Sequence, residues 1–96
     1  RVVFFNGLHL EGKMTDVLET DGRGGTRSVA VTRSLDPTKD LRRVDAGELA
    51  HDPHVWFDVK LWMRCVEVVR DELAAADPPH AADYRAFRPT YPPELF

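Results

Sequence analysis

The stretch Val2-Val3-Phe4-Phe5-Asn6-Gly7 begins the chain with an apolar run that ends in a turn. Four consecutive β-branched or aromatic residues are typical of a strand buried on both faces. A second run of this kind, Ser28-Val29-Ala30-Val31-Thr32, follows later. Between the two runs, apolar residues recur at helical spacing and predict an amphipathic helix from about Leu8 to Glu19. The sequence therefore predicts an α/β fold with a parallel-sheet βαβ segment.

The most regular pattern in the chain lies between residues 58 and 76. Asp58 is the predicted N-cap of a long helix from Val59 to Ala76. Its apolar positions follow i, i+3, i+4, i+7, i+11 spacing and predict a face that packs on the sheet: Trp62, Cys65, Val66, Val69 and Leu73. Asp77-Pro78-Pro79 then interrupts the helix, because proline disfavours helical geometry in the residue before it. A short helix from about His80 to Phe87 is expected next.

The remaining segments carry weaker patterns. Residues 33–51 are charged and show little periodicity, which predicts a long surface loop with at most one short turn of helix. Residues 89–96 contain three prolines, at positions 89, 92 and 93, and predict an irregular tail. Cys65 lies on the apolar face of the long helix, where the simplest interpretation is a small buried hydrophobe rather than a reactive thiol.

Composition excludes several classes of function. The chain has 96 residues, enough for one small domain, and a formal charge of -3 from 13 basic and 16 acidic residues. The charges are scattered, so no basic stripe indicates a nucleic-acid partner. The single cysteine cannot form a thiolate cluster, so a metal site here must use nitrogen and oxygen ligands.

The octapeptide Asp52-Pro53-His54-Val55-Trp56-Phe57-Asp58-Val59 is the best candidate for such a site. It presents His54 from a turn stiffened by Pro53, directly before the predicted long helix. A neutral imidazole nitrogen suits a first-row divalent cation, and a ligand with a fixed direction loses less entropy on binding. From the residues alone, a hydrogen-bonded structural histidine is the more common interpretation of such a position.

Weaker candidates lie nearby. His51 and His54 form a His-x-x-His pattern, but Pro53 disfavours the helix that would align them, so a solvated loop histidine is the simpler interpretation of His51. Glu11 and Asp58 could orient a metal-bound imidazole by accepting its other N–H. Helix capping is the simpler role of Asp58, and a first-turn carboxylate favoured by the helix dipole is the simpler role of Glu11.

Together with Phe5-Asn6-Gly7-Leu8-His9-Leu10-Glu11 and Lys60-Leu61-Trp62, the Asp-Pro-His-Val-Trp motif closely resembles the metal-specific solute-binding proteins of bacterial ABC importers, the TroA/ZnuA-like family. The resemblance implies that residues 1–88 form part of the N-terminal lobe of a two-lobed periplasmic-binding-type fold. It implies that His54 coordinates the transported zinc or manganese, with iron also compatible. His9 would be a structural or supporting residue, and the remaining ligands would lie outside this chain.

The resemblance also implies a function without covalent chemistry. The intact protein would capture a divalent metal ion and deliver it to an ABC permease, from a periplasmic or extracellular membrane-anchored location. Two alternatives remain open at this point. The chain could belong to a zinc-dependent hydrolase that uses His51 and His54, or it could be a truncated remnant that binds no metal.

Overall fold

The computed structural model of the chain describes residues 1–19, 25–46 and 49–87. The strands are β1 (Val2–Phe5), β2 (Arg27–Ala30), β3 (Arg43–Ala46) and β4 (Leu49–His51). The α-helices are α1 (Thr15–Leu18), α2 (Val59–Ala76) and α3 (Ala81–Ala86). Short 3₁₀ helices cover Gly12–Met14, Val31–Ser34, Val55–Phe57 and Pro78–His80.

Strands β1 and β2 pair in parallel, with Val2 opposite Arg27 and Phe5 opposite Ala30. The predicted parallel pairing is therefore confirmed. The second strand lies earlier than the predicted Ser28–Thr32, because the chain enters a 3₁₀ helix at Val31. There the buried Thr32 donates its hydroxyl to the carbonyl oxygen of Asn6 at 2.6 Å. This side-chain bond to the backbone takes the place of a further rung of the ladder.

The predicted helix from Leu8 to Glu19 begins later than expected, because residues 8–11 form a turn and helical structure starts at Gly12 as a 3₁₀ helix. Leu8 and His9 have φ angles of 56° and 61°, in the left-handed region, and regular α-helix is confined to α1. The cause is Glu11, whose carboxylate accepts hydrogen bonds from the backbone N–H groups of Asn6 at 2.7 Å and Gly7 at 3.0 Å. Glu11 thus closes a turn at the point where the helix was predicted to begin.

The prediction of a loop over residues 33–51 is wrong for residues 43–46 and 49–51, which form two short strands. Strands β3 and β4 form an antiparallel hairpin, with Arg43 opposite His51 and an irregular register between that pair and the next. Before the hairpin, Asp36 accepts hydrogen bonds from the backbone N–H groups of Thr38 and Lys39 and makes a tight turn. Such short strands leave too few residues for an alternating pattern to be visible in the sequence.

Helix α2 is confirmed from Val59 to Ala76. Asp58 caps it, since its carboxylate accepts from the backbone N–H groups of Lys60 at 3.0 Å and Leu61 at 3.3 Å. Its residue Cys65 forms a core with Val31, Leu35 and Val55. Trp62 and Val69 of the same helix are partly buried against this core. Burial raises the pKa of the Cys65 thiol, in keeping with a small core hydrophobe.

A buried carboxylate with two partly exposed arginine partners ties α2 to the sheet. Glu72 is 7% exposed and contacts Arg27 at 2.8 Å and Arg33 at 2.6 Å. The hydrogen bond from Arg27 is the largest cause that holds the pKa of Glu72 at about 2, and Arg33 adds to it. Because Arg27 lies in β2 and Arg33 in the following 3₁₀ helix, one carboxylate fixes the helix against both segments.

The last part of the chain follows the expected order. Helix α3 covers Ala81–Ala86, one residue shorter at each end than predicted, because Pro78–His80 forms a separate 3₁₀ turn. The predicted tail over 89–96 lies outside the described residues and remains a prediction. Within the part of the chain that the structure describes, none of the helices combines the length and apolar character needed to cross a membrane.

Candidate metal-binding site

The loop that carries His54 is attached to two parts of the fold. At its start, the backbone N–H of Asp52 donates to the carbonyl oxygen of Arg42 at 2.7 Å, which joins the loop to the hairpin. One residue later, the carbonyl oxygen of Pro53 accepts a hydrogen bond from Asn6 Nδ2 at 3.1 Å. Asn6 directly follows β1, so His54 lies beside the carboxyl end of a parallel strand, where open α/β sheets bind ligands.

The backbone of His54 is held in a defined turn. The N–H of Val55 donates to the carbonyl oxygen of Pro53 at 2.9 Å, and His54 has φ -82° and ψ 57°. These values are those of an inverse γ-turn with His54 at its centre. Pro53 and Val55 on either side are buried, whereas the side chain of His54 is 52% exposed. The fold therefore fixes the backbone of His54 and leaves its imidazole accessible to solvent.

Asp52 contacts His54 twice through one oxygen. Asp52 Oδ1 accepts a hydrogen bond from the backbone N–H of His54 at 3.0 Å and lies 2.6 Å from His54 Nδ1. The backbone bond, followed by the side-chain bond, lowers the pKa of the Asp52 carboxyl group. Sequence reasoning assigned no role to Asp52, although an Asp two residues before the histidine is the spacing of an Asx-turn and could have indicated one.

The turn after β1 supports the His54 loop from the other side. Asn6 donates to Pro53, accepts from the Thr32 hydroxyl and donates its own N–H to Glu11. Gly7 adopts φ 84°, and a Cβ atom there would lie 2.9 Å from Thr32 Oγ1. The turn thus requires a residue without a side chain at this position, because only glycine combines that φ with such close packing. Sequence reasoning identified the turn but not its contact with the histidine loop.

Two aromatic rings flank His54. The ring centroid of Trp56 lies 5.1 Å from that of His54 in an edge-to-face arrangement, and that of Phe57 lies 6.5 Å away. Trp56 is 38% exposed and Phe57 is 80% exposed. In this chain they therefore form an open apolar surface beside the histidine.

The other histidines near the motif occupy different environments. His51 is the last residue of β4, opposite Arg43, and the turn at residues 52–54 separates it from the 3₁₀ helix Val55–Phe57. His51 and His54 therefore do not share a helical face, as Pro53 led us to expect. His9 is exposed in the turn after β1 and has a left-handed backbone.

The two weaker carboxylate candidates are engaged by backbone amides. Glu11 closes the turn at Asn6 and Gly7, and Asp58 caps α2. Within residues 1–19, 25–46 and 49–87, no group of three or more His, Cys, Asp or Glu side chains is arranged to hold a metal ion. His54 is thus a single exposed candidate ligand with a defined direction, and its role in metal binding remains a prediction.

Comparison with known proteins identifies the family to which the chain belongs. Residues 1–95 match the family model of ZnuA, the periplasmic component A of zinc-uptake complexes. The chain is 39% identical to the manganese-binding lipoprotein MntA of Bacillus subtilis (strain 168) over 95 residues, which cover 98% of this chain and 30% of that protein. It is 35% identical to the zinc-binding protein TroA of Treponema pallidum (strain Nichols) over 94 residues, which cover 98% of this chain and 29% of that protein.

The fold agrees with these sequence matches. The solved structure of the periplasmic zinc-binding protein TroA from Treponema pallidum superimposes with a TM-score of 0.71 and 37% sequence identity, covering 88% of this chain and 29% of that one. The chain thus spans about 30% of the length of the relatives it matches. Family model, sequence identity and fold agree over almost all of its residues, and the chain belongs to the ZnuA family of metal-binding solute-binding proteins.

Proposed function

We propose that this chain supplies His54 as one ligand of a zinc or manganese site in the receptor of an ABC importer. The intact receptor captures the metal ion outside the cytoplasm and delivers it to a membrane permease. Its location is the periplasm or the outer surface of the membrane, where a lipid anchor retains it. The family description as a periplasmic zinc-uptake component and the names of the zinc- and manganese-binding relatives support this proposal.

One observation carries the assignment of His54. Its imidazole is half exposed, whereas the residues on either side of it are buried. A hydrogen bond from Asn6 holds this loop beside the carboxyl end of β1. A ligand that is already oriented loses little entropy when the metal arrives. Since closed zinc sites use four protein ligands, the other ligands must come from residues that the structure does not describe or from other parts of the intact protein.

The choice of metal depends on those other ligands. An imidazole nitrogen suits zinc, manganese and iron, and geometry and ligand type select among them. Relatives of this chain are named for manganese in one case and zinc in another. We therefore propose zinc or manganese as the transported ion.

The hydrolase alternative gains no support. A catalytic zinc needs about three protein ligands and an open position for water. His51 lies at the end of a strand and His54 at the centre of a turn, and no third metal-binding side chain joins them among the described residues. The relatives are named for metal binding rather than hydrolysis. A remnant that binds no metal is the alternative that an experiment must separate from the receptor.

Paramagnetic line broadening by Mn²⁺ provides that test. Trace Mn²⁺ added to the ¹⁵N-labelled chain should broaden the ring signals of His54 before those of the other histidines. His80 is the matched control, because it is also exposed and also has an aspartate at Nδ1. His54→Ala should weaken Mn²⁺ binding at least tenfold, whereas His80→Ala should leave it unchanged.

Two results would contradict the proposal. Broadening of His80 at the same Mn²⁺ concentration as His54 would show that the metal samples any exposed histidine. Affinity that survives His54→Ala would place the ligands elsewhere. We expect the chain to bind Mn²⁺ orders of magnitude more weakly than an intact receptor, because His54 acts alone here. Metal affinity depends on several ligands that are held together before the metal arrives.

A further inference from the structure

The contact between Asp52 and His54 restricts the imidazole ring as well as the backbone. A single carboxylate oxygen, Asp52 Oδ1, lies 3.0 Å from the backbone nitrogen and 2.6 Å from Nδ1 of the same histidine. An ionised carboxylate only accepts hydrogen bonds, so the ring nitrogen that faces it must carry a proton. A neutral imidazole has one N–H, which leaves the lone pair on the opposite nitrogen, Nε2.

We propose that Asp52 is the positioning residue of the metal site: it holds the proton on His54 Nδ1 and so makes Nε2 the nitrogen that coordinates the metal ion. This inference rests on the proposed function of His54 as a ligand. Carboxylates that accept the second N–H of a ligating histidine fix both its tautomer and its ring orientation in many metal sites. In the sequence, Glu11 and Asp58 were the candidates for this role, but backbone amides occupy both.

Neighbouring groups define the ring position further. Trp56 makes an edge-to-face contact with the His54 ring, with 5.1 Å between the ring centroids. Trp56 directly follows the buried Val55. Asp52 itself is anchored by its backbone bond to Arg42. The Asp52 carboxylate therefore contacts the ring at Nδ1, and Trp56 lies beside the ring. The side chain of His54 remains 52% exposed.

The chain contains a matched pair for comparison. His80 Nδ1 lies 3.1 Å and 3.2 Å from the two carboxylate oxygens of Asp77, and its side chain is 64% exposed. Asp77 also accepts a hydrogen bond from Tyr84 at 2.9 Å. The two Asp–His pairs thus have similar chemistry at separate places in the fold, and each can serve as the control for the other.

Long-range ¹H–¹⁵N NMR spectra of the histidine rings test the proposal without metal. At about pH 8, where an ordinary imidazole is neutral, wild-type His54 should show the pattern of the Nδ1–H tautomer. Asp52→Ala should shift the ¹⁵N signals of His54 toward the Nε2–H tautomer and leave His80 unchanged. Asp77→Ala should change His80 and leave His54 unchanged.

A Zn²⁺ titration of the same sample identifies the coordinating nitrogen. Zn²⁺ should move the ¹⁵N resonance of His54 Nε2 and leave Nδ1 protonated. A wild-type chain with His54 in the Nε2–H form would overturn the role of Asp52, even if the variants failed to fold. So would a tautomer unaltered by Asp52→Ala, or coordination through Nδ1.

The outcomes also separate this inference from the proposed function. If Mn²⁺ binds at His54 but the Nδ1–H tautomer is absent, the receptor assignment stands and the role of Asp52 is wrong. If the tautomer is as expected but Mn²⁺ does not bind at His54, the assignment of the metal ligand is wrong, while Asp52 still orients the ring.

Discussion

Helix α2 and the segment from Asn6 to Glu19 look alike in sequence and behave differently in the fold. Both carry apolar residues at helical spacing. In α2 this pattern produces a regular helix with Cys65 1% exposed at the centre of its packed face. In the earlier segment, Leu10, Met14 and Val17 are 40%, 61% and 73% exposed. Helical spacing thus indicates which residues could share a face, but a packing partner decides whether that face is buried.

The two regions also use their glutamates differently. Glu72 lies on α2 between two arginines and joins secondary-structure elements together. Glu11 accepts two backbone N–H groups and bends its own segment into a turn. Side-chain packing therefore dominates the first region, whereas hydrogen bonds to the backbone shape the second. The second region is the one that contacts the His54 loop, through Asn6.

The largest expected difference is the response of the two apolar faces to a charge. Cys65→Asp places a carboxylate in the core without a partner and should lower the free energy of unfolding by ~4 kcal/mol. Met14→Asp, the matched substitution on the exposed face, should change it by less than about 0.5 kcal/mol. Urea denaturation followed by circular dichroism measures both. Equal effects of the two substitutions would show that the faces are not packed as described.

Lower pH should weaken the attachment of α2 to the sheet. The pKa of Glu72 in the folded chain is about 2, below the ordinary 4.5, because Arg27 and Arg33 stabilise the ionised form. The folded chain therefore binds this proton less readily than the unfolded chain. The resulting stabilisation, on the order of 3 kcal/mol, is present above pH 4.5 and is lost as the pH falls toward 2.

Comparison of variants isolates this contribution from the other carboxylates. The difference in unfolding free energy between wild type and Glu72→Gln should shrink between pH 5 and about pH 2. Glu67→Gln, at an exposed position on the same helix, is the control and should show a small and constant difference. A Glu72→Gln difference that stays constant over this range would mean that the arginines do not hold the carboxylate in its ionised form.

Sequence alone predicted the parts of the fold that depend on local pattern. The bounds of α2 followed from Asp58, the apolar spacing and Asp77-Pro78-Pro79, which are all signals within one segment. The turn at Glu11 and the β3–β4 hairpin did not follow, because they depend on a side chain that folds back on the backbone and on pairing between short strands. Propensity is a weak guide where such contacts compete with it.

The same distinction applies to the candidate site. His54 stood out because proline and a helix start lie on either side of it in the chain. Asp52, although only two residues away, was not assigned a role, since the shared contact with the backbone and Nδ1 of His54 is visible only in three dimensions. Asn6 is distant from Pro53 in the sequence, and no local pattern indicates that they touch.

The smallest expected effect concerns two buried threonines in the hydrogen-bonded region. Thr15 is 4% exposed, and its hydroxyl has no hydrogen-bond partner among the residues that the structure describes. Thr32 is 5% exposed, and its hydroxyl donates to Asn6. Thr15→Val removes an unsatisfied buried oxygen and should raise the unfolding free energy by about 0.5–1 kcal/mol. Thr32→Val leaves the Asn6 carbonyl without its donor and should lower it by about 1–2 kcal/mol.

Thermal and urea unfolding of both variants give the signs directly. Destabilisation by Thr15→Val as large as that by Thr32→Val would show that the Thr15 hydroxyl has a partner after all, and that hydrogen bonds shape this region as far as the start of α1.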